Sequence, residues 1–239
     1  MKITYLLIDF FTIIVPLLFS FHPKLNFHKN WKAFFLGNLV TLLLFAAWDI
    51  YFTHLGVWGF NPRYVTGLYV SNLPVEEILF FVCIPYACVF TYHCLNIFVN
   101  IRWNRKFETG FIIVFASALL IAGIYNHDKL YTASTFISLS GVLLLLKFVL
   151  KVKWLPKLLS IYPLLLIPFF VVNGILTGSG LQQPVVWYND AKNLGARLLS
   201  IPVEDIFYGF EMILVNVFFY EYFISSSTKK APVNTEASS

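Results

Sequence analysis

What most constrains this chain is a run of seven apolar stretches, each close to the roughly 20 residues a helix needs to cross a bilayer. They cover 3–21, 33–52, 77–99, 109–125, 132–150, 158–176 and 205–224. Composition agrees: of 239 residues, 59% are hydrophobic and only 12% charged, too few polar side chains to coat a soluble domain of this size. The expected fold class is an all-α integral membrane protein with about seven transmembrane helices. Aromatic residues make up 19% of the chain and lie within the stretches as well as at their ends, so girdles at the membrane surface explain only part of them.

The net charge of +5 does not point to nucleic acid, because the basic residues sit in short loops between apolar stretches. Sorted by alternate sides, Lys24, Lys29, Lys32, Arg102, Arg105, Lys106, Lys147, Lys151, Lys153, Lys157, Lys229 and Lys230 share one face. Lys2, Arg63, Lys129, Lys192 and Arg197 share the other. The positive-inside rule then puts the N-terminus outside and the C-terminus in the cytoplasm of a multi-pass cell-membrane protein. Cys83, Cys88 and Cys94 fall in one apolar stretch, which predicts neither a disulfide framework nor a metal site. Asp9 interrupts the first stretch, so 3–21 reads as a retained span and not as a cleaved signal.

A repeat runs through the chain at an offset of 128 residues. Asn61, Gly67, Pro74, Val75, Glu76 and Ile78 coincide without a gap with Asn189, Gly195, Pro202, Val203, Glu204 and Ile206, which marks a duplication. Two three-helix units keep the same orientation only if an odd number of spans separates them, and the fourth stretch supplies that span. The repeat is then parallel, with a pseudo-axis along the membrane normal. The expected divisions are a first repeat (1–107), a linking helix (108–127), a second repeat (128–225) and a disordered tail (226–239).

Ionisable residues inside a membrane cost at least about 2.5–3.5 kcal/mol each at its centre, which makes them functional candidates. Tracing depth along alternating helices brings Asp9, Asp49, Glu76, Glu77, Glu204 and Asp205 to one level near the outer face, with Glu211 two turns deeper than Glu204. Glu204, Tyr208 and Glu211 share a helix face. Each motif also has a structural explanation: Asn72 and Ser200 as helix caps, Pro74 and Pro202 in the first turn, and acids at a helix start. A cap needs one acid, however, and each copy carries two. Asp49 reads more simply as an interfacial acid, with Asn173 at a similar place in the second half, and Asp9 as a packing residue. Asn61 and Asn189 suit either orientation of a carboxyl group or a turn before the helix.

The segments NLPVEEILFF, VVNGILTG and IPVEDIFYGFEMILVNVFFYE resemble the signature segments of the lycopene cyclase domain family, small membrane cyclases found as two three-helix subunits or as one fused chain. The likeness extends up to Ile224 and is to the fused form; the stretch 177–186 is longer than its counterpart in the first unit. The resemblance implies a carotenoid substrate, lycopene or a similar one, in contact with the lipid bilayer, association with other carotenoid enzymes, and redox-neutral closure of the linear ends into rings. It implies Glu76, Glu77, Glu204 and Asp205 as the catalytic acids. Substrate-binding candidates are Asn61, Asn189, Asp49, Asn173, Tyr208 and Glu211.

Such a ring closure needs one group to give a proton and another to take one, a division suited to paired carboxylates. Adjacent helical residues point about 100° apart, and the expectation is that Glu76 and Glu204 face the substrate. No Gly-x-Gly-x-x-Gly follows a strand and no strand is evident, so no cofactor is expected. A membrane prenyltransferase would need two Asp-rich magnesium motifs, for which Asn189-Asp190 is the nearest fragment. A retinal protein would need a Schiff-base lysine, which 205–224 lacks. A proton-coupled transporter remains an alternative, since parallel repeats with acids at one depth suit it.

Overall fold

The computed structural model describes residues 2–230. Among them are seven α-helices: α1 Thr4–Phe19, α2 Trp31–His54, α3 Val75–Phe98, α4 Arg105–Tyr125, α5 Leu130–Leu144, α6 Leu155–Leu176 and α7 Val203–Lys230. A π-helical turn, Leu145–Val149, prolongs α5. Six of these helical segments are long and apolar enough to cross a membrane, and α1 is a shorter apolar helix of 16 residues. Large apolar side chains on the outer faces are exposed, Phe11, Val114, Ile121 and Ile167 among them, as suits helices that meet lipid instead of water. Residues 226–230 of the expected tail continue α7; the rest of it lies outside the described residues.

The repeat is visible in the backbone. Strand β1 (Trp58–Phe60) pairs antiparallel with β4 (Val186–Tyr188), and Gly59 stands opposite Trp187, its own counterpart at offset 128. The pseudo-twofold axis therefore passes through that pair. On either side of it, Asn61 N–H donates to the Val185 carbonyl and Asn189 N–H to the Val57 carbonyl, both at 2.8 Å. Two hairpins complete the symmetry: β2 (Tyr69–Val70) with β3 (Leu73–Pro74), and β5 (Arg197–Leu198) with β6 (Ile201–Pro202). Their turns hold Ser71 at φ 58° and Leu199 at φ 59°. These strands correct the expectation of none. They are two or three residues long, too short for an alternating pattern, and lie in connecting loops whose backbone groups still need partners.

Tyr5 at the start of α1 reaches Glu77 at the start of α3, and Tyr131 at the start of α5 reaches Asp205 at the start of α7. The paired loop strands bring the ends of α2 and α6 to that same level. Both three-helix units thus share one orientation, as the odd linking helix α4 requires.

The units are not packed alike. Helix α2 lies along α7, whereas α6 touches α3 only sparsely. Gly37 permits the close approach of α2, since a Cβ there would stand 3.0 Å from the Tyr220 backbone nitrogen and 3.2 Å from the Phe219 carbonyl carbon. Gly37→Val must push two helix backbones apart, a strain of about 1–3 kcal/mol. We expect a lowered midpoint of thermal unfolding in detergent, and an unchanged midpoint would show that the contact is not needed. On the other side, sparse packing of α6 leaves a cavity.

Candidate active site

The cavity has a volume of about 130 Å³ and is lined by α3, α6 and α7, with contributions from α1, α2, α5 and the strands β1 and β4. Helix α3 presents Glu77, Phe80, Ile84, Ala87, Cys88 and Thr91 to it, one face of a helix at three- and four-residue steps. From Glu77 to Thr91 that face is roughly 21 Å long at 1.5 Å per residue. Helix α7 presents Asp205, Tyr208, Gly209, Met212 and Ile213. The counterparts match across the repeat: Glu77 with Asp205, Phe80 with Tyr208, Ile84 with Met212. Acids gather at one end, and the remainder is largely apolar.

In each pair the second acid, not the first, faces this space, reversing the expectation for Glu76 and Glu204. Those two are fully buried behind it. Glu76 Oε1 accepts the Thr66 backbone N–H at 2.7 Å, and Glu204 Oε1 accepts the Leu194 N–H at 2.8 Å, two bonds related by the repeat. Thr132 Oγ1 adds a bond to Glu204 at 2.5 Å. The first acids tie down the loop that precedes each helix, which leaves the cavity to their neighbours about 100° around the helix. Nor do Asn72 and Ser200 cap. Asn72 donates to the Ile50 carbonyl, Ser200 bonds Thr177, Ser179 and the Gly174 carbonyl, and α3 has no side-chain cap.

Tyrosines hold the facing acids. Tyr5 Oη donates to Glu77 Oε2 at 2.6 Å. Tyr131 Oη donates to Asp205 Oδ1 at 2.7 Å and Tyr188 Oη to Asp205 Oδ2 at 2.9 Å. Tyr188 lies in a loop strand outside the spans, and burial, followed by the charge of Asp205, pushes its pKa well above the usual phenol value, so it stays a donor. Sequence reasoning passed over Tyr5, Tyr131 and Tyr188. Tyr5 and Tyr131 are 126 residues apart, not 128, so a gapless alignment never superposes them.

Of the other candidates, Asp49, Asn173 and Tyr208 line the cavity. Asp49 takes a hydrogen bond from Trp58, and Glu77, Asp49 and Asp205 are near enough to feel one another's charge. The Tyr208 hydroxyl is buried without a hydrogen-bond partner among the described residues. Trp58, Tyr131 and Tyr208 form an aromatic wall beside the acids, with ring centroids 5.0 to 6.2 Å apart. Glu211 is buried off the cavity and accepts from Ser138 Oγ at 2.8 Å. Asp9 is likewise buried, with no hydrogen-bond partner among the described residues.

Asn61 and Asn189 do not line the cavity. Their Oδ1 atoms accept the backbone N–H of Arg63 and Ala191, each at 3.0 Å, which closes the loop turns. The turn explanation given for them from sequence is the one their bonds fit.

Chemically, the site is a long greasy slot with two phenol-bound carboxyl groups and electron-rich rings at one end, suited to moving a proton on and off a hydrocarbon. The lycopene cyclase family model matches residues 2–95 and 128–223, one segment for each repeat. No curated protein and no solved structure gives a match. The two matched segments cover most of the chain and fall on the duplicated units that build this cavity: the chain belongs to the lycopene cyclase family.

Proposed function

We propose that this protein converts the linear ends of lycopene, or of a close acyclic carotenoid, to ionone rings by a redox-neutral closure started by a proton. One observation carries the reading: two carboxyl groups with their phenol partners, Glu77 with Tyr5 and Asp205 with Tyr131 and Tyr188, gather at one end of a long, largely apolar cavity. A proton added to the terminal double bond gives a tertiary cation, the neighbouring alkene attacks it, and loss of a proton sets the ring double bond. No electrons are gained or lost. Trp58, Tyr131 and Tyr208 offer ring faces to the cation, each worth about 0.5–2 kcal/mol. A hydrocarbon dissolved in the bilayer enters an apolar wall at little desolvation cost.

The loop charges support an outward N-terminus, which places the acids near the outer face. Expression in a lycopene-accumulating host should replace lycopene by cyclic carotenoids in the chromatogram. Lycopene that persists while the protein is present in the membrane would overturn the proposal.

A further inference from the structure

The two acids that face the cavity are counterparts in the repeat, yet they are not held alike. Asp205 accepts a phenolic O–H on each oxygen, from Tyr131 and Tyr188. Among the described residues Glu77 accepts one, from Tyr5 on Oε2. The difference is written into the chain, because the counterpart of Tyr188 at offset 128 is Phe60, which also lines the cavity but has no hydroxyl. A carboxyl group that carries its own proton has one O–H to place, while a carboxylate only accepts. Two phenol donors favour the carboxylate form of Asp205 more than one donor favours that of Glu77, since a proton on Asp205 turns an oxygen that accepts a phenol into a hydroxyl, a weaker acceptor. Glu77 holds a proton on Oε1 with its Tyr5 bond undisturbed.

Resting on the cyclase reading, we infer that Glu77 gives the initiating proton, that Asp205 removes the ring proton, and that Tyr188 positions Asp205 for the second task. The Glu77 proton goes to the CH carbon of the terminal double bond, whose π pair becomes the new C–H bond and leaves the cation on the dimethyl carbon. The π pair of the internal alkene forms the ring C–C bond and moves the cation into the ring. An adjacent ring C–H then yields its proton to Asp205, and its electron pair becomes the ring double bond. The cycle closes when the proton on Asp205 is exchanged for one on Glu77, leaving hydrogen and electron counts unchanged.

The roles separate in deuterium oxide. Membranes carrying the wild type, Glu77→Gln, Asp205→Asn or Tyr188→Phe are given lycopene in deuterated buffer, and both product and recovered lycopene are weighed by mass spectrometry. Glu77→Gln should consume no lycopene and leave what is recovered unlabelled, because nothing protonates it. Asp205→Asn should form little of the normal ring and return lycopene with deuterium at its ends, since protonation proceeds and reverses. Tyr188→Phe should still form rings, with more label in the recovered lycopene than the wild type gives.

Labelled lycopene from Glu77→Gln, or unlabelled lycopene from membrane-resident Asp205→Asn, overturns the assignment. If Asp205→Asn does not accumulate, Tyr188→Phe decides, and label equal to wild type overturns it. A wild type that leaves lycopene unchanged fails the cyclase reading itself; a cyclising wild type with the wrong variant pattern fails only the roles.

Discussion

Glu77→Gln is expected to lower ring formation by about 10²–10⁴-fold, the usual contribution of a positioned proton-transfer group, while Glu76→Gln one residue away keeps most of it. The contrast follows from where each side chain sits. Glu77 lines the cavity, and glutamine there accepts the same Tyr5 hydrogen bond without having a carboxyl proton to give. Glu76 is fully buried behind the helix, and its job is to accept the Thr66 N–H. The amide oxygen of glutamine does that equally well. Removing the acceptor altogether in Glu76→Ala leaves the Thr66 N–H unpaired, at about 1–3 kcal/mol, so this variant should lose protein and not turnover per molecule. Pigment yield divided by membrane-resident protein separates the two effects. If Glu76→Gln is as inactive per molecule as Glu77→Gln, the division of labour drawn from the cavity is wrong.

That pair also marks how far the sequence could be read. The spans were legible because a bilayer demands long apolar runs, and the parallel repeat because Pro74, Val75 and Glu76 recur at Pro202, Val203 and Glu204 without a gap. That neighbouring acids point different ways was legible from the helical period. Which of them points inward was not, since that depends on the flanking helices, and α3 turns Glu77 inward among α1, α6 and α7 while the loop claims Glu76. The tyrosine partners were hidden by a two-residue change of spacing between the first helix of each unit and the motif, a shift that loop length absorbs. The asymmetry between α2 against α7 and α6 against α3 includes a close backbone approach at Gly37, a detail with no periodic signature.

A Phe at position 209 is expected to cut ring formation by about 10²-fold or more, the scale of loss when a substrate is held off its reacting geometry, without reducing the amount of folded protein. Gly209 stands four residues after Asp205 on α7, the same helix face and roughly 6 Å further along the cavity. A Cβ there meets only ordinary contacts, Phe169 Cε2 at 3.5 Å and the Tyr162 hydroxyl at 3.8 Å, so the backbone tolerates a side chain. Gly209→Ala is therefore a gentle step, and it gains up to about 1 kcal/mol of helix propensity. Gly209→Phe instead sends a ring into the slot just behind the acids, where the polyene of a bound carotenoid must pass. The expected series is graded, with Ala close to wild type, Leu reduced and Phe nearly silent, at constant membrane protein level. A Gly209→Phe variant that cyclises lycopene at the wild-type rate would mean that the substrate does not lie along α7, and the cavity would lose its claim to be the reaction site even if the acids kept theirs.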